Sequence, residues 1–286
     1  MRVVADHETL QGDSDAVTFS FADPAARLYG LARLGLSGEG EQRRGSALAV
    51  MFSEQVPVAT IAQGDLPVEA DAGCQRLSLP GLAASIEEPL ERWSVRLAGE
   101  DHGFDLTFEA VSPPAGRSAP RQTRGYEQLC RVRGEARLGD EVRPVDGRGQ
   151  RGHSWGSPDW TRVTALHSLC AWMEDDRSVA MTVVREESSA GHDEDSRWGA
   201  MLDSTGAVEV ADPRLSTTYD GQGRQRRAGL ELWLDEEAEA PRRAAGTLLC
   251  GSSFELGQLR LDCSFMRWTM DGLEGVGRYD VLRRVA

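Results

Sequence analysis

The sequence predicts an all-β protein built as two antiparallel β-barrel or sandwich halves packed together, and three observations carry that prediction. Apolar residues recur at every second position in run after run, the period of strands with one buried face. Turn-forming clusters separate the runs at hairpin spacing. No segment repeats the strand–helix–strand order that a parallel sheet requires.

In the first half, Val17, Phe19 and Phe21 alternate with Thr18 and Ser20, Trp93, Val95 and Leu97 with Ser94 and Arg96, and Phe104, Leu106 and Phe108 repeat the pattern. Cys130, Val132, Gly134, Ala136 and Leu138 share one face, opposite Arg131, Arg133, Glu135 and Arg137. Leu230, Leu232 and Leu234 form a further run, and Leu259, Leu261, Cys263 and Phe265 alternate with Arg260, Asp262 and Ser264. The intervening clusters Ser37–Gly40, Asp220–Gly223 and Asp271–Gly272 suit hairpin turns. Thr161 to Met173 reads as another strand, and Ser85 to Glu88 as one short helical turn before Pro89. The acidic stretches Glu186–Ser196 and Asp235–Arg243 read as solvated hairpin loops.

A chain of 286 residues sits near the size at which a single core stops growing. Pro113, Pro114, Gly116 and Pro120 interrupt the strand pattern between Ser112 and Arg124, which places the expected domain break between residues 118 and 119. The expected halves are thus 1–118 and 119–286.

Forty-six acidic residues against 32 basic ones give a net charge of −14, which repels phosphate backbones and anionic headgroups. Nucleic acid is excluded as an expected partner. Every basic residue is arginine, which removes Schiff-base chemistry, a pyridoxal anchor and a phosphate-binding lysine. Met1 to Leu10 lacks an apolar leader core, and no window of eighteen apolar residues occurs, so a cytoplasmic protein without membrane insertion is expected. The five cysteines, widely spaced and odd in number, read as reduced, buried thiols. No metal is expected, because the five histidines are scattered and form no ligand spacing; His192 to Asp195 reads as a solvated loop.

The densest cluster of unusual residues is Gly147 to Trp160. Gly147, Gly149 and Gly152 satisfy a dinucleotide-binding spacing, but Gly156 and Pro158 oppose the helix that such a site needs. Gly152-His153-Ser154-Trp155-Gly156 also matches a nucleophile elbow, with Asp175 or Asp176 and His192 following in hydrolase order, although a strand rather than a helix is expected next. A serine esterase using Ser154 is therefore a minor alternative.

The same segment resembles the signature of a family of tandem lipocalin-like proteins that includes carotenoid 1,2-hydratases, Diels-Alderase-type cyclases and uncharacterised bacterial members. The residues carrying the resemblance are Gly149, Arg151, His153, Ser154, Trp155, Gly156, Asp159 and Trp160. Gly152 stands where the pattern usually has Asp, which removes an Asp–His pairing, and Pro158 stands where it usually has Arg. Weaker matches are Pro89 to Trp93, Tyr126 to Gln128 and Gly275 to Tyr279.

The resemblance implies two lipocalin-like halves around an apolar cavity that takes a small hydrophobic, isoprenoid- or polyketide-like molecule of secondary metabolism, with a homodimer admitted as the assembly. It implies cofactor-free hydratase/lyase or cyclase/isomerase chemistry, and alternatively a non-catalytic carrier. His153 and Asp159 are the expected proton donors, Asp159 through desolvation of its carboxyl among tryptophans. Trp155, Trp160, Tyr126, Gln128 and Trp172 are the expected ligand-lining residues.

Overall fold

The alternation of Val17, Phe19 and Phe21 with smaller, more polar residues forms the first strand of a computed structural model that describes residues 12–119, 123–189, 191–235 and 237–285. Eleven strands make the first sheet: β1 (Ser14–Asp23), β2 (Leu28–Ser37), β3 (Arg44–Ser53), β4 (Val56–Pro67), β5 (Arg76–Leu79), β6 (Leu82–Glu88), β7 (Arg92–Ala98), β8 (His102–Ala110), β9 (Ala115–Ala119), β10 (Thr123–Leu138) and β11 (Glu141–Gly156). Their order is β4-β3-β2-β1-β11-β10-β8-β7-β6-β5, with β9 paired to β10. The sheet coils until β5 approaches β3 and β6 approaches β2. Val17, Phe19, Leu34, Trp93, Leu106, Phe108 and Val132 fill its interior.

The second sheet has nine strands: β12 (Val163–Met173), β13 (Ser178–Glu186), β14 (Ser196–Asp203), β15 (Gly206–Glu209), β16 (Asp212–Tyr219), β17 (Gln225–Trp233), β18 (Arg242–Leu256), β19 (Leu259–Met270) and β20 (Leu273–Arg284). Its order is β15-β14-β13-β12-β20-β19-β18-β17-β16, and β14 approaches β16. Leu169, Met181, Leu230, Leu232, Met266, Trp268 and Val281 form its core. Pairing in both sheets is antiparallel, as the hairpin spacing predicts. Among the described residues the only helical pieces are two single 3-10 turns, Gly40–Gln42 and His192–Glu194, and no helix is long and apolar enough to cross a membrane.

Two expectations differ from the structure. Ser85 to Glu88 is not a helical turn; its residues end β6, where Ser85 and Ser94 bond through their hydroxyls across the β6–β7 pair. The chain divides into two compact units, Met1–Pro158 and Asp159–Ala286, rather than at 118/119. The reason is hydrogen bonding: β10 and β11 complete the first sheet, with β11 seated between β1 and β10. The proline-rich stretch is an excursion that returns along β10 as β9. Pro120 and the segment Met1 to Leu10 lie outside the described residues.

All five cysteines are buried thiols outside any disulfide. Burial pushes the thiols of Cys74 and Cys263 well up, and that of Cys250 up to about 12. In native protein at neutral pH, a thiol-specific disulfide reagent is expected to label none of them at the rate of an exposed thiol, and all five after denaturation. Rapid native labelling would contradict this burial.

Candidate active site

Strand pairing determines which residues of the glycine-rich segment can work together. Asp15 pairs with Trp155, Val17 with His153 and Phe19 with Arg151 across β1 and β11. On the other side of β11, Tyr126 pairs with His153 and Gln128 with Arg151. Residues directly opposite share a face, so Asp15, Tyr126, Gln128, Arg151, His153 and Trp155 all point to the side on which Val17 and Phe19 join the core. Each of the six is at most 3% exposed.

Asp15 and His153 form the centre of this cluster, with Nε2 2.6 Å from Oδ1. Aromatic rings surround the imidazole: Trp155 lies 5.1 Å away and Tyr126 5.8 Å away between ring centroids, both edge-on. The Arg151 guanidinium donates to the Tyr126 hydroxyl and lies 4.2 Å over the Trp93 ring and 5.1 Å over the Tyr126 ring. Gln128 donates from Nε2 to the carbonyls of Leu90 and Ser112 at 3.0 and 2.9 Å. Cys74 enters from the segment between β4 and β5. Burial, together with the neighbouring Asp15 carboxylate that accepts from its thiol, keeps that thiol protonated. The Asp15, Cys74 and His153 donor atoms lie within 4.8 Å of one another.

Four of the seven expected site residues, Tyr126, Gln128, His153 and Trp155, therefore come together. The other three belong to the second unit. Asp159 is exposed, and its Oδ1 accepts from the Thr161 amide at 3.1 Å and the Thr161 hydroxyl at 2.5 Å, the bonds of a polar turn. The apolar surroundings expected around that carboxyl are not those of an exposed turn. Trp160 is 37% exposed and its carbonyl accepts from Arg284; Trp172 is buried.

Sequence reasoning missed Asp15, Cys74, Arg151 and Trp93. A signal existed for two of them. Asp15 occupies the same alternation as Val17 and Phe19, and Arg151 the same alternation as Gly149, His153 and Trp155. A charge in register with core positions is a buried charge. Nothing local marks Cys74, whose neighbours form turns.

Gly152 does not cost His153 its carboxylate. Adjacent strand residues face opposite ways, and a Cβ at Gly152 would meet Glu127 Oε2 at 2.6 Å on the far face. Asp15 supplies the carboxylate instead. Ser154 also lies on that far face, within a strand that runs to Gly156 and is followed by β12, so the strand-to-helix strain of a nucleophile elbow is not built here. Gly147, Gly149 and Gly152 are likewise strand residues.

Two cavities are defined, of about 760 Å³ beside Ser216, Gly229, Glu231 and Arg243, and of about 700 Å³ beside Val68, Glu69, Asp71 and Gln75. Neither is lined by an expected site residue.

Coiled antiparallel sheets with a polar cluster on an inner face define a lipocalin-like protein. The chain belongs to the family described as a domain of unknown function, DUF7064, which matches residues 5–285. No curated protein matches the sequence. Among solved structures it is similar to a Nitrosomonas europaea protein assigned as AttH, with TM-score 0.74 and 14% identity over 96% of this chain and 94% of that one. It is also similar to kievitone hydratase from Nectria haematococca, with TM-score 0.66 and 8% identity over 95% and 89%. CghA, solved with Sch210972, matches with TM-score 0.60 and 10% identity over 95% and 89%. At these identities the likeness is one of fold.

Asp15→Ala, which leaves the buried His153 imidazole and Cys74 thiol without their acceptor, is expected to lower stability by about 1–3 kcal/mol in urea unfolding. A loss under about 1 kcal/mol, the range of exposed pairs, would show that the contact does not hold the interior. Gly152→Asp, which installs the residue usual in the family, is expected to destabilise by about 1–3 kcal/mol through crowding against Glu127. An unchanged or raised midpoint would refute that orientation.

Proposed function

We propose that the chain binds a small hydrophobic molecule, isoprenoid- or polyketide-like, and acts on it in the cytoplasm without a cofactor, as a hydratase/lyase or a cyclase/isomerase. The observation that carries this reading is the His153–Asp15 contact inside an aromatic surround. An adjacent carboxylate orients the imidazole, which passes a proton to an alkene or carbonyl. The faces of Trp155 and Tyr126 stabilise a developing carbocation. The Arg151–Tyr126 pair supplies donors for a carbonyl oxygen, which is all that a shape-directed cyclisation demands.

His153, rather than the exposed Asp159, is the proton donor in this reading. Tyr126, Gln128 and Trp155 line the substrate. The fold shared with kievitone hydratase and with ligand-bound CghA supports the class of chemistry. Full burial of the cluster favours a second reading, a non-catalytic carrier of the same ligand class that encloses its cargo.

Incubation of purified protein with polyene lipids in heavy water, followed by mass spectrometry, separates these readings. Hydrated or proton-initiated cyclised product bearing deuterium on carbon is expected, with His153→Ala lowering the rate roughly 10²–10⁴-fold while binding is retained, whereas cyclisation directed by shape alone gives product without that deuterium. A polyene bound and returned unchanged by the wild type would establish the carrier. Labelling by a fluorophosphonate that Ser154→Ala abolishes would establish the esterase instead.

A further inference from the structure

Three buried donors of different chemistry converge in the first unit: the Asp15 carboxylate, the Cys74 thiol and the His153 imidazole, none more than 3% exposed. They arrive from β1, from the segment joining β4 to β5, and from β11. The geometry points to a binding site for one divalent ion of the zinc class at this cluster, with these three side chains as ligands and a fourth position for water.

The donor set selects the metal. Sulfur, imidazole nitrogen and carboxylate oxygen together suit zinc, whereas magnesium and calcium take oxygen throughout. Charge supports the same conclusion. A doubly charged ion with a thiolate, a carboxylate and a neutral imidazole is neutral as a whole, so no uncompensated charge is left in the interior. The protons balance: Cys74 releases its thiol proton to solvent, and His153 binds through Nε2 with a proton kept on Nδ1, so one proton leaves for each ion bound by the neutral ring and two where the ring starts as imidazolium.

The 2.6 Å contact between Nε2 and Oδ1 fits a proton. A tetrahedral ion with bonds of about 2.0–2.2 Å holds its nitrogen and oxygen ligands roughly 3.3 Å apart, a widening that rotation of the Asp15 side chain absorbs. Cys74 sits in turns outside the named strands, held by the Gly73–Arg76 bridge and by the Ile86 amide donating to the Gln75 carbonyl. The same segment lines the cavity of about 700 Å³, where Glu69 and Asp71 place two carboxylates that raise the local cation concentration. A metal-bound imidazole cannot also be the imidazolium that delivers a proton, so the ion switches the proton donor off. That consequence, unlike the metal site itself, rests on the reading of His153 given above.

Titration of the chelator-treated full chain with Co²⁺, with no substrate present, tests the site. One equivalent is expected to give a thiolate-to-cobalt charge-transfer band in the near ultraviolet and d–d bands of tetrahedral strength, both erased by Zn²⁺. Calorimetry in two buffers of different ionisation enthalpy is expected to show release of at least one proton, that of the Cys74 thiol, and no release in Cys74→Ser beyond that of the imidazole. Cys74→Ser abolishes the charge-transfer band, and Asp15→Asn and His153→Gln weaken affinity at least roughly tenfold, the lower end of what losing even an outer-shell partner costs. No charge-transfer band, or one that survives in Cys74→Ser, would overturn the proposal. X-ray absorption of the Zn²⁺-loaded wild type needs no variant: one sulfur neighbour supports the site, and nitrogen and oxygen neighbours alone refute it. Failure of the polyene assay leaves all of these readouts unaffected.

Discussion

An ionisable group on the inner face of a coiled sheet has no water to solvate it, and the arrangement of the first unit follows from that constraint. Asp15 stands in a row of core side chains, where an isolated carboxylate costs far more than any strand contact returns. His153, diagonal to Asp15 and two residues along β11 from its partner Trp155, is the group close enough to share its charge. The contact then shapes its surroundings. Cys74 is drawn in to donate to the same carboxylate, and Trp155 and Tyr126 close around the imidazole. Arg151, two residues along, is accommodated between the faces of Trp93 and Tyr126.

The second unit meets the same constraint with a different outcome. Asp262, 2% exposed, accepts from the Ser253 hydroxyl and from Arg260 and Arg283. Tyr279 bonds His167 and Thr217 through its hydroxyl, while its carbonyl accepts from Gln225 and Ser264. Burial pushes the Tyr279 hydroxyl far above the ordinary phenol range, which fixes it as a permanently protonated member of the network. Here the charges end in guanidinium groups that do not give up protons, so the network stiffens a barrel. In the first unit the central carboxylate meets an imidazole and a thiol, and burial together with that carboxylate keeps the thiol protonated.

Much of this was legible in the sequence. Period two identified β1, β7, β8, β10, β17 and β19, because a strand with one face in the core must alternate. It failed where both faces are buried. In β19, Leu261, Cys263 and Phe265 were read as the inner face, yet Met266, Trp268 and Met270, on the same side as Asp262 and Ser264, join the core. A buried Asp262 looks like a surface residue until its partners from β18 and β20 are known. The domain boundary failed for a related reason: proline and glycine mark where strand pairing pauses, and only the long-range register shows that β10 and β11 rejoin the first sheet. Of the candidate site, the half on one strand pair was visible; Asp15 showed only as a charge in register with core positions and Cys74 not at all, because their approach to His153 is set by pairing across distant parts of the chain.

The same geometry decides what the His-Ser-Trp-Gly segment can encode. On a strand, neighbouring residues cannot serve one site, so the motif divides by parity. Arg151, His153 and Trp155 face the interior. Gly152 and Ser154 face the other way, and Gly152 leaves room for the Glu127 carboxylate that accepts from Gln150. Gly149, on the inner parity, is small for another reason, since a Cβ there would meet the Ser20 carbonyl at 2.4 Å and force β1 from β11. The departure of this chain from the usual motif at Gly152 thus bears on how the sheet packs. The carboxylate beside His153 comes from β1, outside the motif, and a chain with Asp or Glu in register with Trp155 on that strand keeps the pair whatever residue stands at position 152.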